Sequence, residues 1–179
     1  MATERIRVGI IGANVRYGWG RDAHIPALSA LREFEITAVS TSRQETADET
    51  AKHFGILHAF ADPYKMLQHP DVDLVSICVR VPSHHQLGMA ALNAGKHLYC
   101  EWPLAATTEQ AQQMRDLAVR KEVRHMVDYK PAGAARSISS GTWSPFRLLH
   151  HVAISISLSS SLGSTLSTTP ETPSILSVH

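Results

Sequence analysis

The chain has 179 residues, enough for one well-packed domain and too few for two of ordinary size. Apolar residues make up 44%, charged residues 18%, and the formal net charge is +1, which describes a soluble globular protein with no electrostatic pull toward nucleic acid or an anionic membrane. No apolar run approaches the roughly 18 residues of a spanning helix, and residues 1–5 lead into a strand without a signal-like stretch. The expected compartment is therefore cytoplasmic, with the nucleus as the alternative. Cys78 and Cys100 fall in apolar runs, so two reduced core thiols are expected rather than a disulfide or a metal site.

Taken in chain order, residues 5–11 form a β-rich run that ends at Gly12, the signature of a first buried parallel strand. A glycine-containing turn follows, then a helix over about 22–31 with Ile25, Leu28 and Leu31 on one face. Residues 34–39 predict a second strand, and 45–54 a second helix stopped by Gly55. A short strand at 58–60 and a short helix at 64–68 precede Pro70. Residues 73–79 make the strongest buried strand, followed by a helix over 84–93 closed by Gly95. A fifth strand covers 97–100. Thr107 and Gln110 have capping-box spacing and open a helix striped by Ala111, Met114, Leu117 and Ala118. Residues 124–127 predict a sixth strand. Strands and helices alternate with short links, so right-handed crossovers give a doubly wound parallel α/β sheet of the Rossmann type over residues 1–130.

The stretch from Gly12 to Gly20 lies between a strand and a helix, where such a fold seats a pyrophosphate on backbone N–H groups and the positive end of a helix. Gly12 fits the first glycine of a dinucleotide fingerprint. Asn14 stands where a second glycine is usual, and asparagine tolerates positive φ better than other side chains. The third glycine is displaced to Gly18 or Gly20; the bland alternative is an ordinary glycine-rich loop. The second strand ends Ser40-Thr41-Ser42-Arg43. An NAD enzyme would place a carboxylate there for the ribose 2′-hydroxyl, whereas Thr41 and Arg43 suit the 2′-phosphate of NADP. The alternative reading makes Arg43 the start of a solvated loop.

Two further stretches give the chain its resemblance to the Gfo/Idh/MocA family of oxidoreductases. Residues 73–84, ending Val79-Arg80-Val81-Pro82-Ser83-His84, are similar to that family's fourth strand and Thr-Pro-x-x-x-His loop, with Val79 and Arg80 in place of Thr-Pro. Residues 94–105, Ala-Gly-Lys-His-Leu-Tyr-Cys-Glu-Trp-Pro-Leu-Ala, resemble the family's Ala-Gly-Lys-His-Val-Leu-Cys-Glu-Lys-Pro-Leu-Ala signature. The resemblance covers about 5–128. It implies that Gly12, Asn14, Gly18, Trp19, His84, Glu101 and Trp102 line an NADP or NAD site. Taken without it, His84 is equally a satisfied histidine at a helix start, and Trp19 and Trp102 are core or lid aromatics.

One departure bears on activity. The family's Glu-Lys-Pro lysine, tied to substrate binding and proton transfer, is Trp102, and an indole has no basic nitrogen. The Gly12-x-Asn14-x-x-x-Gly18-Trp19 turn, His24-x-Pro26 and the Glu101-Trp102 pair resemble one branch in particular, the regulators of the fungal galactose-repressor type. Two functions are therefore expected: the nucleotide-binding domain of an oxidoreductase lacking its substrate domain, or a non-catalytic dinucleotide sensor acting through a protein partner. No catalytic residue and no metal ligand is assigned. Residues 131–179 hold 18 Ser or Thr and three charged side chains, which predicts an irregular tail. Shifting codons of the Pro131-Ala-Gly-Ala type by one nucleotide can spell the Leu-Gln-Gly-Arg-like sequence of relatives, so out-of-frame translation from near Asp128 is expected. Loss of the second domain exposes apolar surface, and self-association follows as an expectation.

Overall fold

A computed structural model of the chain describes residues 5–128. Six parallel strands stand in the order β3-β2-β1-β4-β5-β6. They are β1 (Ile6–Ile11), β2 (Phe34–Ser40), β3 (His58–Phe60), β4 (Leu74–Ile77), β5 (His97–Glu101) and β6 (His125–Asp128). The helices are α1 (Ile25–Ser29), α2 (Gln44–Phe54), α3 (Pro63–Leu67), α4 (His84–Asn93) and α5 (Thr108–Arg120). The chain order reverses at β1, so the loops after β1 and β4 flank one crevice at the carboxyl edge of the sheet. This is the predicted doubly wound α/β architecture. The tail predicted for 131–179 lies outside the described residues.

Strand alternation divides the core between the two faces. Val8 and Ile10 of β1, with Val39 of β2, pack beside Ile25 and Leu28 of α1 and Ala51 of α2. Ile11, Ala38, Val75 and Ile77 turn the other way, toward Met66 and Leu67 of α3, Ala91 and Leu92 of α4, and Met114, Leu117 and Ala118 of α5. Helices α4 and α5 meet at Gly88, where a Cβ would lie 2.3 Å from the Met114 methyl. Apolar periodicity does not mark this contact, because glycine carries no apolar signal.

Several bounds differ from expectation by one or two residues, β4 among them, which stops at Ile77 rather than 79. The first helical segment starts at Gly20 rather than Asp22, through a wide π turn (Gly20–His24) that runs into α1 and stops at Ser29. The capping box at α5 is skewed. Thr107 Oγ1 accepts from Gln110 N at 3.3 Å, but Gln110 Oε1 reaches back to the N–H of Ala106, one residue before the cap, at 3.2 Å.

Candidate dinucleotide site

All ten sequence-assigned positions lie at one edge of the sheet, in the loops after β1, β2, β4 and β5, at the ends of those strands or, for His84, at the first residue of α4. The first loop departs from β1 at Gly12, whose φ of 97° and contact with the end of β4 exclude a side chain. A Cβ there would lie 2.4 Å from the Cys78 carbonyl oxygen and 2.7 Å from a Val79 methyl. Asn14 does not use positive φ, contrary to the sequence argument; its Oδ1 instead accepts from Arg16 N at 2.9 Å, so the side chain folds back onto its own turn. Of the two candidates for the third glycine, Gly20 does the packing: a Cβ on it would lie 3.0 Å from Ala13 Cα. Gly18 has φ 112° and open space around it, so it shapes the loop without serving as a contact. Trp19 is half-buried beside it. Val15 N donates to Thr50 Oγ1 at 3.1 Å and Arg16 pairs with Glu49 at 3.2 Å, which ties the loop to α2.

After β2, the hydroxyls divide their work. Thr41 Oγ1 donates to the Arg43 carbonyl at 2.9 Å and lies 2.6 Å from Thr46 Oγ1, so it builds the turn into α2. Ser40 Oγ is buried and has no hydrogen-bond partner. Ser42 and Arg43 are exposed, with Arg43 at the N-cap position of α2.

After β4, His84 is a buried residue and not a surface one. Its Nε2 lies 2.8 Å from the Val79 carbonyl oxygen and its Nδ1 2.8 Å from that of Pro103, so one ring joins the β4 loop to the β5 loop. In that second loop Trp102 precedes a cis peptide to Pro103, its N–H donates to the Asp128 carbonyl at 3.0 Å, and its side chain is 60% exposed.

Residues 24, 76 and 78 also belong to this edge, and sequence reasoning did not assign them to the site. His24 Nδ1 lies 2.9 Å from Ser76 Oγ, and its Nε2 lies 3.3 Å from Glu101 Oε1. The latter two atoms are buried and within ion-pair distance, but neither makes a hydrogen bond among the described residues. The His24 ring also packs on Tyr99 with centroids 5.0 Å apart. The His24-x-Pro26 pattern marked the position only through the resemblance, and Ser76 and Cys78 were hidden inside an apolar run. Cys78 and Cys100 are buried, free thiols. Burial, and next the Glu101 carboxylate, push Cys78 well up and Cys100 up to about 12. Burial does the same to the Tyr99 phenol, with the Asp128 carboxylate adding to it.

The residues fit a dinucleotide. A tight glycine exit and close packing of Gly20 on Ala13 in the following turn are what such a ligand needs at a strand-order reversal. Among the described residues no helix is long and apolar enough to cross a membrane.

Residues 6–129 match the model of the oxidoreductase family with an NAD-binding Rossmann fold, Gfo/Idh/MocA. The dehydrogenase aclE of Aspergillus oryzae is 37% identical over 131 residues, covering 70% of this chain and 36% of that protein. The galactose/lactose metabolism regulatory protein GAL80 of Saccharomyces cerevisiae is 30% identical over 131 residues, covering 68% and 30%. Among solved structures, KijD10, a 3-ketoreductase from Actinomadura kijaniata in complex with TDP-benzene and NADP, superposes with a TM-score of 0.66 at 28% identity, covering 70% of this chain and 39% of that one. The chain thus spans about a third of the length of the curated relatives it matches. It belongs to the Gfo/Idh/MocA oxidoreductase family, and its described part is that family's NAD-binding Rossmann domain.

Proposed function

We propose that this chain binds NADP in preference to NAD, with residues 1–130 as the binding unit, and that it turns over no substrate by itself. The carrying observation is the end of β2. No carboxylate stands at Ser40-Thr41-Ser42-Arg43, and the Arg43 side chain is exposed at the start of α2, where a guanidinium can pair with a 2′-phosphate. Gly12, Asn14, Gly18 and Trp19 would hold the pyrophosphate side, and Val79, His84, Glu101 and Trp102 the nicotinamide side. Thr41 would act by shaping the Arg43 turn. NADP when bound carries the hydride; the chain's residues orient it and shield it from water.

A titration of the 179-residue chain followed by tryptophan fluorescence tests the preference. Arg43→Ala should weaken NADP binding about tenfold, in line with loss of one charge-assisted contact, and NAD binding much less. Equal weakening of both would remove the 2′-phosphate role.

Trp102 favours a second reading, a dinucleotide sensor working through a protein partner, because the exposed indole occupies the position of the family's lysine. GAL80, a regulatory protein by name, is among the relatives. Both readings expect no NADPH oxidation with sugars or polyols, and a measurable rate would overturn them. The segment 131–179 is read as out-of-frame sequence, and sequencing the transcript across codons 125–140 decides that.

A further inference from the structure

The buried cluster beneath the candidate nicotinamide side has its own chemistry. His24 Nε2, Cys78 Sγ and Glu101 Oε1 all lie within 4.8 Å of one another. The His24 side chain is fully buried, and Nε2 and Oε1, 3.3 Å apart, make no hydrogen bond to each other or to any other described residue. Two polar atoms so spaced, with no hydrogen bond between them, can serve as two ligands of a common third atom. In a tetrahedral zinc site, ligand nitrogen and oxygen lie about 3.4 Å apart, since each bond is about 2.0–2.2 Å long.

The surrounding hydrogen bonds supply the rest. If His24 Nδ1 donates to Ser76 Oγ at 2.9 Å, the Nε2 lone pair is bare. Ser76 Oγ can then donate to Cys78 Sγ, 3.5 Å away, which suits a thiolate better than a thiol. Three elements contribute: the π turn before α1, the end of β4 and the end of β5.

We propose that His24 Nε2, Cys78 Sγ and Glu101 Oε1 form a zinc site, with the fourth position left to water. The thiolate and imidazole favour zinc over magnesium or calcium. One thiolate and one carboxylate balance the dication, so the filled cluster is neutral and suited to its buried position. Binding moves one proton from the Cys78 thiol to solvent, and uptake rises with pH for that reason. The cation would fix the relative positions of the first loop's helix and the Glu101-Trp102 loop, independently of whether NADP is preferred.

The probe is the full chain stripped with chelator and titrated with Co2+, then Zn2+. The expected result is one equivalent of Co2+ with a near-ultraviolet sulfur-to-cobalt absorption that Zn2+ abolishes. Cys78→Ser should lose that band and Cys100→Ser should keep it. The surface group His58, His69 and Asp71 contains no sulfur and cannot produce the band. A native chain without the band overturns the proposal and leaves a bridging water as the occupant. Persistence of the band in Cys78→Ser overturns it equally. Should Cys78→Ser fail to fold by circular dichroism, Glu101→Gln gives the decision: affinity at least tenfold lower is expected, and unchanged affinity overturns the site.

Discussion

At the amino edge of the sheet, polar side chains satisfy one another; at the carboxyl edge, several are buried without a partner. Arg7 holds Asp73 with two parallel bonds, Nε to Oδ2 at 2.9 Å and Nη2 to Oδ1 at 2.7 Å, and reaches Asp71 at 3.0 Å. His58 joins Asp71 at 3.1 Å, and Lys96 Nζ donates to the Val72 carbonyl at 2.7 Å. The opposite edge holds the three buried atoms left unsatisfied among the described residues: His24 Nε2, Ser40 Oγ and Glu101 Oε1. Both edges are built from the same strands, so strand propensity does not separate them. The difference is that one edge is finished within the chain and the other leaves hydrogen-bonding capacity for a ligand. An unsatisfied buried group costs about 1–3 kcal/mol, which a structural edge would not carry without return.

The largest test of that contrast is Gly12→Ala. The new methyl would overlap the Cys78 carbonyl at a φ of 97°, and backbone strain plus overpacking should cost about 3 kcal/mol. Urea midpoints should fall accordingly and nucleotide binding should be lost; a near-neutral result would mean that the β1–β4 junction can open. Arg7→Met comes next, at about 1 kcal/mol once the solvent exposure of the pair is discounted, with nucleotide affinity unchanged. Its pH profile sharpens the point. The Arg7 guanidinium holds Asp73 below its ordinary value of 3.8, so this stabilisation is complete above that value and disappears as pH falls through the lowered one. The Met variant should therefore lose less stability than the native chain between neutral pH and pH 3. Loss of nucleotide binding in Arg7→Met would show that the two edges are coupled. The smallest effect has the opposite sign. Ser40→Ala removes an unpartnered hydroxyl and should stabilise the free chain by about 0.5 kcal/mol while weakening NADP binding. Destabilisation by calorimetry would show that Ser40 is already satisfied.

The sheet was legible because its strands are apolar runs ended by glycine or turn residues, and the helices because their stripes and caps have helical spacing. The glycine loop was only half legible. Gly12 declared itself by position, but choosing Gly20 over Gly18 needed the contact with Ala13, which no spacing rule contains. Thr41 illustrates a different limit: its residue type suits a phosphate, yet local geometry commits its hydroxyl to Thr46 and the Arg43 carbonyl. The His24 cluster was least legible. Its members come from positions 24, 76, 78 and 101, far apart in the chain, and only the strand order brings them together.

The His84 ring bridges the carbonyls of Val79 and Pro103. The Val79–Arg80 and Pro103–Leu104 peptides are thereby mechanically geared: a guest that tugs on either is felt by the other through a single rigid ring. Relaxation measurements on the two segments should report a shared exchange rate, and His84→Ala should split it into two.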